Sequence, residues 1–279
     1  MADLTVHSTE NAGVALDAVD GYLLTEPVRH SIFLSLVREG ADNSASGRYW
    51  WATAGPDGPI VGFAMQTPRG FCAGVTPAAD EVVDALCDRI ISDVPGLPGV
   101  IAEAALAARF AGRWAESLAV AARPVETQRM YRLRSVVPSG DRSPGRLRLA
   151  EQGDRDTLVG WASGFLTEVG GLPDDPATAV DRHLAAGRLW LWDDDGPAAM
   201  ASATAPLAGV CRIGLVFTPP ERRRCGYATA FVAALSERLL AAGADQCTLF
   251  AQLQNPTSNA IYRRMGYEPV TEIVRYHFG

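Results

Sequence analysis

Val216-Phe217-Thr218-Pro219-Pro220-Glu221-Arg222-Arg223-Arg224-Cys225-Gly226-Tyr227-Ala228-Thr229 reads as a strand, a basic turn and the start of a helix. The prolines stop the strand, and Phe231, Val232, Leu235 and Leu239 carry an apolar face at helical spacing until Gly243 ends it. The turn has the physics of an anion site. The first N–H groups of a helix lack intrahelical partners, its dipole favours phosphate oxygens, and Gly226 lets a ligand approach the backbone. Three arginines add charge where a diphosphate would sit. No Gly-Lys-Ser/Thr follows, so the stretch is not a P-loop, and the glycine spacing of a dinucleotide fingerprint is missing. The basic run taken alone fits an exposed arginine-rich turn equally well.

The surroundings of this stretch define its half of the chain. Arg146 to Ala150 alternates as a strand, Gly153 to Asp156 can cap a helix running through Leu158, Trp161, Phe165 and Leu166, and Asp175 to Ala186 reads as a second helix. Leu189 to Trp192, Ala198 to Pro206 and Val210 to Phe217 are strand signals joined by tight turns, an antiparallel meander. After the helix come a buried strand at Cys247 to Ala251, a short helix at Ser258 to Met265 and one or two closing strands within Glu268 to Phe278. The first half repeats the order, from a strand at Leu4 to His7 to a closing strand at Val125 to Val136, which suggests duplication of one unit. Turn formers without an apolar pattern fill Val137 to Gly145. The expected organisation is therefore a domain at 1–137, a linker at 138–145 and a domain at 146–279. The expected fold is α/β (α+β), with two tandem domains that each carry a mixed, mostly antiparallel sheet flanked by helices.

Composition narrows the function classes. The 279 residues suffice for two cores, and no apolar run reaches the roughly 18 residues that cross a bilayer. Neither a membrane span nor a secretory leader is read, and the expected location is the cytoplasm. The net charge is −7, which argues against nucleic acid as the default partner. All 25 basic residues are arginine. The five cysteines are scattered without a CxxC pair, so neither a metal site nor a disulfide framework is implied. Cys225 lies among the arginines with no histidine in a nucleophile pattern and is read as incidental.

Arg223, Gly226 and Ala228 match, in order, the Arg/Gln-x-x-Gly-x-Gly/Ala loop of the GNAT acetyltransferase superfamily, and further along Asn255, Ser258, Tyr262, Gly266 and Tyr267 resemble its second signature, Asn-x-x-Ala/Ser-x-x-x-Tyr-x-x-x-Gly-Phe/Tyr. The resemblance implies acetyl-CoA as cosubstrate and no metal. It implies that backbone groups of Val216, Phe217 and Thr218 pair with the pantetheine arm, and that Arg223, Arg224, Cys225, Gly226, Tyr227, Ala228 and Thr229 surround the diphosphate. Asn255 would hold the coenzyme arm, Ser258 or Asn259 would cap the short helix, and Tyr262 would protonate the leaving thiolate. A phenol with a pKa near 10 suits that last role. No residue signals the general base. By the same resemblance Glu168, Asp174, Asp175 and His183 lie in helices that line the acceptor side, and Glu221 lies near the loop, each better read singly as a solvated charge.

The first half departs from the pattern. Thr76-Pro77-Ala78-Ala79-Asp80-Glu81 stands where the second half has its arginines and Gly226, so residues 1–137 read as a degenerate, catalytically silent copy. The function expected is transfer of an acetyl group to the primary amine of a small molecule by direct attack, in a monomer or homodimer. A coenzyme A-binding pseudoenzyme or sensor, and an acyltransferase using another donor such as aminoacyl-tRNA, remain as alternatives.

Overall fold

In the computed structural model, residues 4–43, 47–138, 143–170 and 175–279 are described; Asp174 and half of the expected linker, 139–142, fall outside them. The chain forms two units, one of Met1–Arg129 with Thr271–Gly279 and the other of Met130–Val270.

The first unit opens with β1 (Leu4–Thr9), after which Asn11 starts α1 (Ala12–Leu23) by accepting from the N–H groups of Gly13 and Val14. Then follow α2 (Ser31–Asn43), β2 (Arg48–Ala54), β3 (Ile60–Gln66), β4 (Ala73–Val75), α3 (Asp80–Asp93), β5 (Gly99–Glu103) and α4 (Ala104–Leu118). Strands β1 to β4 pair antiparallel in sequence order, and β4 runs parallel to β5. Trp50, Leu86, Ile90, Phe110 and Trp114 form the centre of the core. Tyr49 and Trp50 are both buried, so β2 is covered on both faces there, while Trp51 stacks on His7.

The second unit repeats the plan with β7 (Arg146–Leu149), α5 (Arg155–Val169), α6 (Pro176–Ala185), β8 (Leu189–Asp193), β9 (Pro197–Ala203), β10 (Val210–Phe217), α7 (Tyr227–Ala241), β11 (Gln246–Gln252) and α8 (Pro256–Arg264). Strands β7 to β10 are antiparallel, and β10 is parallel to β11. One core lies under α7 and α8, centred on Phe231, Leu235 and Leu249. The other lies under α5 and α6, around Leu158, Leu191, Met200 and Phe217. The mixed α/β fold class read from the sequence is what the structure has.

The closing strands do not stay with the halves that precede them in sequence. β6 (Ala122–Leu133) runs from the first unit into the second, where its last residues lie beside β11. β12 (Glu268–Phe278) returns to the first unit, where Ile273 to His277 pair antiparallel with Glu103 to Gly99 of β5. Each strand occupies the place the other would fill in a self-contained half. The boundary therefore differs from 1–137 and 146–279. Periodicity identified both strands, but strand pairing is non-local and their partners carry no mark in a single sequence.

Candidate functional site

The site begins where β10 and β11 part. Their parallel pairing joins Val210, Cys211 and Arg212 to Gln246, Cys247 and Thr248 and extends no further, although β10 runs on to Phe217 and β11 to Gln252. On its other side β10 carries a bulge, because Gly214 faces Ser202 and Phe217 faces Met200, so that Leu215 and Val216 oppose Ala201 alone. Leu215 takes a left-handed φ of 49° there. A bulge re-aims the backbone groups of its strand. Here it affects the stretch from Leu215 to Thr218 that borders the fork. The bulged residues Leu215 and Val216 are ordinary strand formers, and the sequence reading missed the bulge.

The C-terminal turn of α5 meets both prongs. Arg223 Nε donates to the Thr218 carbonyl at 2.9 Å, its terminal nitrogen donates to Glu168 of α5, and its guanidinium lies 5.7 Å from the Phe217 ring centre. On the other prong Gln252 Nε2 donates to the Val169 carbonyl at 3.3 Å. Arg223 is thus committed to holding the loop, a narrower role than the free phosphate contact expected of it. Glu168, one of the expected base candidates, is ion-paired with it.

At the start of α7, Gly226 occupies the N-cap position at φ 79°, Arg224 precedes it at φ 66°, and no side chain caps the helix. Among the described residues, a β-carbon at Gly226 would meet Ser143 alone, at 3.7 Å. The opening is therefore lined by backbone, and its conformation suits glycine. Ser143 Oγ donates to the Cys225 carbonyl at 3.0 Å, and the Tyr227 hydroxyl donates to Asp194, whose carboxylate pushes the phenol pKa up. Tyr227 and Thr229 are buried, so what this turn offers a ligand is N–H groups and the exposed side chains of Arg224 and Cys225. Cys225 is the one exposed cysteine of the five.

Past β11, Asn255 caps α8, its side chain accepting from the Ser258 N–H at 3.0 Å. This corrects two expectations. Asn255, and not Ser258 or Asn259, is the cap, and its Oδ1 is committed to the helix instead of standing open to a coenzyme arm. Tyr262 is 7% exposed, and burial pushes its pKa up to about 12. No group among the described residues hydrogen-bonds its hydroxyl. Of the other base candidates, Asp175 caps α6 by accepting from the Thr178 N–H, Glu221 is exposed, and Asp174 lies outside the described residues. Among the described residues no three His, Cys, Asp or Glu side chains gather as a metal-binding group, and no helix is long and apolar enough to cross a membrane.

The corresponding places in the first unit are filled by its own side chains. Asp80 and Glu81 stand in the first turn of α3, where Asp80 pairs with Arg109. The Tyr22 hydroxyl bonds Thr76 Oγ1 at 3.0 Å and the Pro77 carbonyl at 3.1 Å beyond β4, while Arg29 grips Glu103 at the end of β5 through two hydrogen bonds.

Residues 194–276 match the family of FR47-like proteins. In structure, the whole chain aligns with an acetyltransferase of the GNAT family from Colwellia psychrerythraea at a TM-score of 0.62 and 12% identity, covering 99% of this chain and 100% of that one. The chain has the GNAT fold. A GCN5-related N-acetyltransferase from Sphaerobacter thermophilus aligns at TM-score 0.62 and 15% identity over 98% of this chain and 94% of that one. A tandem GNAT protein from the clavulanic acid biosynthesis pathway aligns at TM-score 0.58 and 12% identity, over 99% of this chain and 98% of that one. No curated protein matches the sequence. The fork between β10 and β11, the bulge and the helix start at Gly226 all fall in the second unit, which is where the two sequence signatures lie.

Proposed function

We propose that the second unit is an acetyl-CoA-dependent N-acetyltransferase acting on a primary amine of a small molecule, and that the first unit does not turn over the donor. The observation that carries this reading is the backbone-lined, uncapped start of α7 behind Gly226, set at the end of a strand that has parted from its parallel neighbour. Such a start suits a diphosphate, with Arg224 and the N–H groups from Arg224 to Thr229 around it. The unpaired edges of Val216 to Thr218 suit the amides of a pantetheine arm. Asn255 would take part through its amide nitrogen only.

The thioester supplies an activated acyl group with a thiolate as leaving group. In direct attack the amine nitrogen forms a bond to the carbonyl carbon and the carbon–sulfur bond breaks. The chain contributes an N–H near Phe217 that polarises the carbonyl, and the Tyr262 hydroxyl, which gives its proton to sulfur. A phenol at about 12 stays fully protonated at neutral pH. It can still act as the acid because a thiolate released into the same dry surroundings becomes more basic for the same reason. The proton lost by the amine goes to water.

A coenzyme-binding protein without turnover would need no acid, whereas Tyr262 keeps an uncommitted hydroxyl. The negative net charge supports an amine over a nucleic-acid-borne donor. The test is release of free thiol from acetyl-CoA across a panel of amines, with Tyr262→Phe as the control. Amine-dependent release that falls about a hundredfold in Tyr262→Phe supports the reading. Tight coenzyme binding with no release from any amine favours the sensor alternative.

A further inference from the structure

The buried polar cluster behind Tyr262 is not explained by coenzyme binding. Three tyrosine rings pack there, with Tyr131 centred 6.1 Å and Tyr267 5.8 Å from Tyr262. Two of the three hydroxyls are spoken for. Tyr267 Oη bonds Ser236 Oγ at 2.9 Å, and Ser236 Oγ donates to the Val232 carbonyl within α7 at 2.7 Å. Tyr131 Oη donates to Asn259 Oδ1 at 2.7 Å. Asn259, itself buried, uses the other end of its amide as donor to the carbonyl of Gln252 at 2.9 Å and to that of Asn255 at 2.7 Å. The amide thus joins the end of β11, the cap of α8 and the last stretch of β6. Only Tyr262 is left with a hydroxyl to give.

The helix that carries Tyr262 cannot place it unaided. α8 has nine residues, shorter than a helix that holds its shape alone, so its position depends on what its first turn is fastened to. Asn259 and Tyr262 are three residues apart and share a face, and that face is where Tyr131 lies. We propose that Tyr131 and Asn259 are positioning residues for Tyr262, a tie from β6 through the Asn259 amide that fixes where the Tyr262 hydroxyl stands. This rests on the reading of Tyr262 as the acid. It also gives a part of the first half of the sequence, the end of β6, a duty in the second unit that no motif announces.

The decisive variant is Tyr131→Phe in the full chain, which keeps the ring and removes the bond to Asn259. Three measurements apply. Ultraviolet titration, taken as wild type minus Tyr262→Phe, isolates the ionisation of Tyr262; in the Tyr131→Phe background an untied α8 admits water to the hydroxyl, so the ionisation should fall from about 12 towards the ordinary value near 10. Acetyl-CoA affinity by calorimetry should be unchanged. Thiol release from acetyl-CoA with spermidine as the probe amine should show kcat lowered about tenfold at constant KM for acetyl-CoA, with no further loss when Tyr131→Phe is added to Tyr262→Phe. An unmoved Tyr262 ionisation, or an effect on kcat that adds to that of Tyr262→Phe, would overturn the tie. If Tyr131→Phe does not fold, Asn259→Ser breaks the same link from the other end and is read by the same titration. Failure of the wild type to bind acetyl-CoA or release thiol would instead count against Tyr262 as the acid. The titration judges the tie separately.

Discussion

In the proposed reaction Tyr262 and Gly226 would serve by opposite means, one by being buried and the other by having nothing to bury. Burial holds the Tyr262 phenol at about 12 against an unfolded value near 10, so the folded chain retains a proton that the unfolded chain gives up. Below pH 10 both states are protonated and the contribution to stability is complete; it is lost as pH rises from about 10 to about 12. The alkaline limb of the kcat profile that belongs to Tyr262 should accordingly lie above pH 10, and a limb near pH 8 that vanishes in Tyr262→Phe would contradict its burial. Gly226 sits at φ 79°, where a β-branched residue is strained by roughly 1–2 kcal/mol and would also narrow the approach to the helix start. Gly226→Val should weaken acetyl-CoA at least tenfold in calorimetry while the chain stays folded; unchanged affinity would remove the loop from the site. Both residues were legible because each stands in a motif with its neighbours. Asn259 and the Arg223–Glu168 pair were not legible as partners. Tyr131 and Asn259 are 128 positions apart, and nothing local to either residue marks the other.

At the scale of elements, hydrophobic period and turn residues recovered nearly every helix and strand, because amphipathic faces and glycine or proline stops act locally. The fork between β10 and β11 and the bulge at Leu215 were hidden for the complementary reason. Both depend on how neighbouring strands pair, and the residues at the bulge are ordinary strand formers. The exchange of closing strands has the clearest consequence. Phe278 of β12 stacks on Trp114 of α4 with ring centres 4.9 Å apart, and β12 covers β5 over five register positions from Ile273 to His277. Deleting Thr271–Gly279 should therefore strip amide-exchange protection from Gly99–Glu103, and the lost Phe278 packing alone should cost about 3 kcal/mol. Loss of protection confined to β11 would mean that the last strand belongs with the half that precedes it in sequence.

For the molecule as a whole, duplication has produced two units with one plan and unequal endowment. Both α3 and α7 start without a side-chain cap, but the second unit opens its helix on Gly226 with no acidic residue in the first turn and leaves a strand pair open. The first spends Asp80, Tyr22, Arg29 and Glu103 on the corresponding places, with Asp80 already answering the helix dipole that a diphosphate would use. A net charge of −7 suits a cationic acceptor, with the basic loop as the local exception that would receive the proposed anionic donor. The account's central claim is that one unit of the two binds the donor. Calorimetric titration of the intact chain with acetyl-CoA tests it most directly. One site per chain, lost in Gly226→Val, is the predicted result; two sites per chain, or no binding at all, would contradict it.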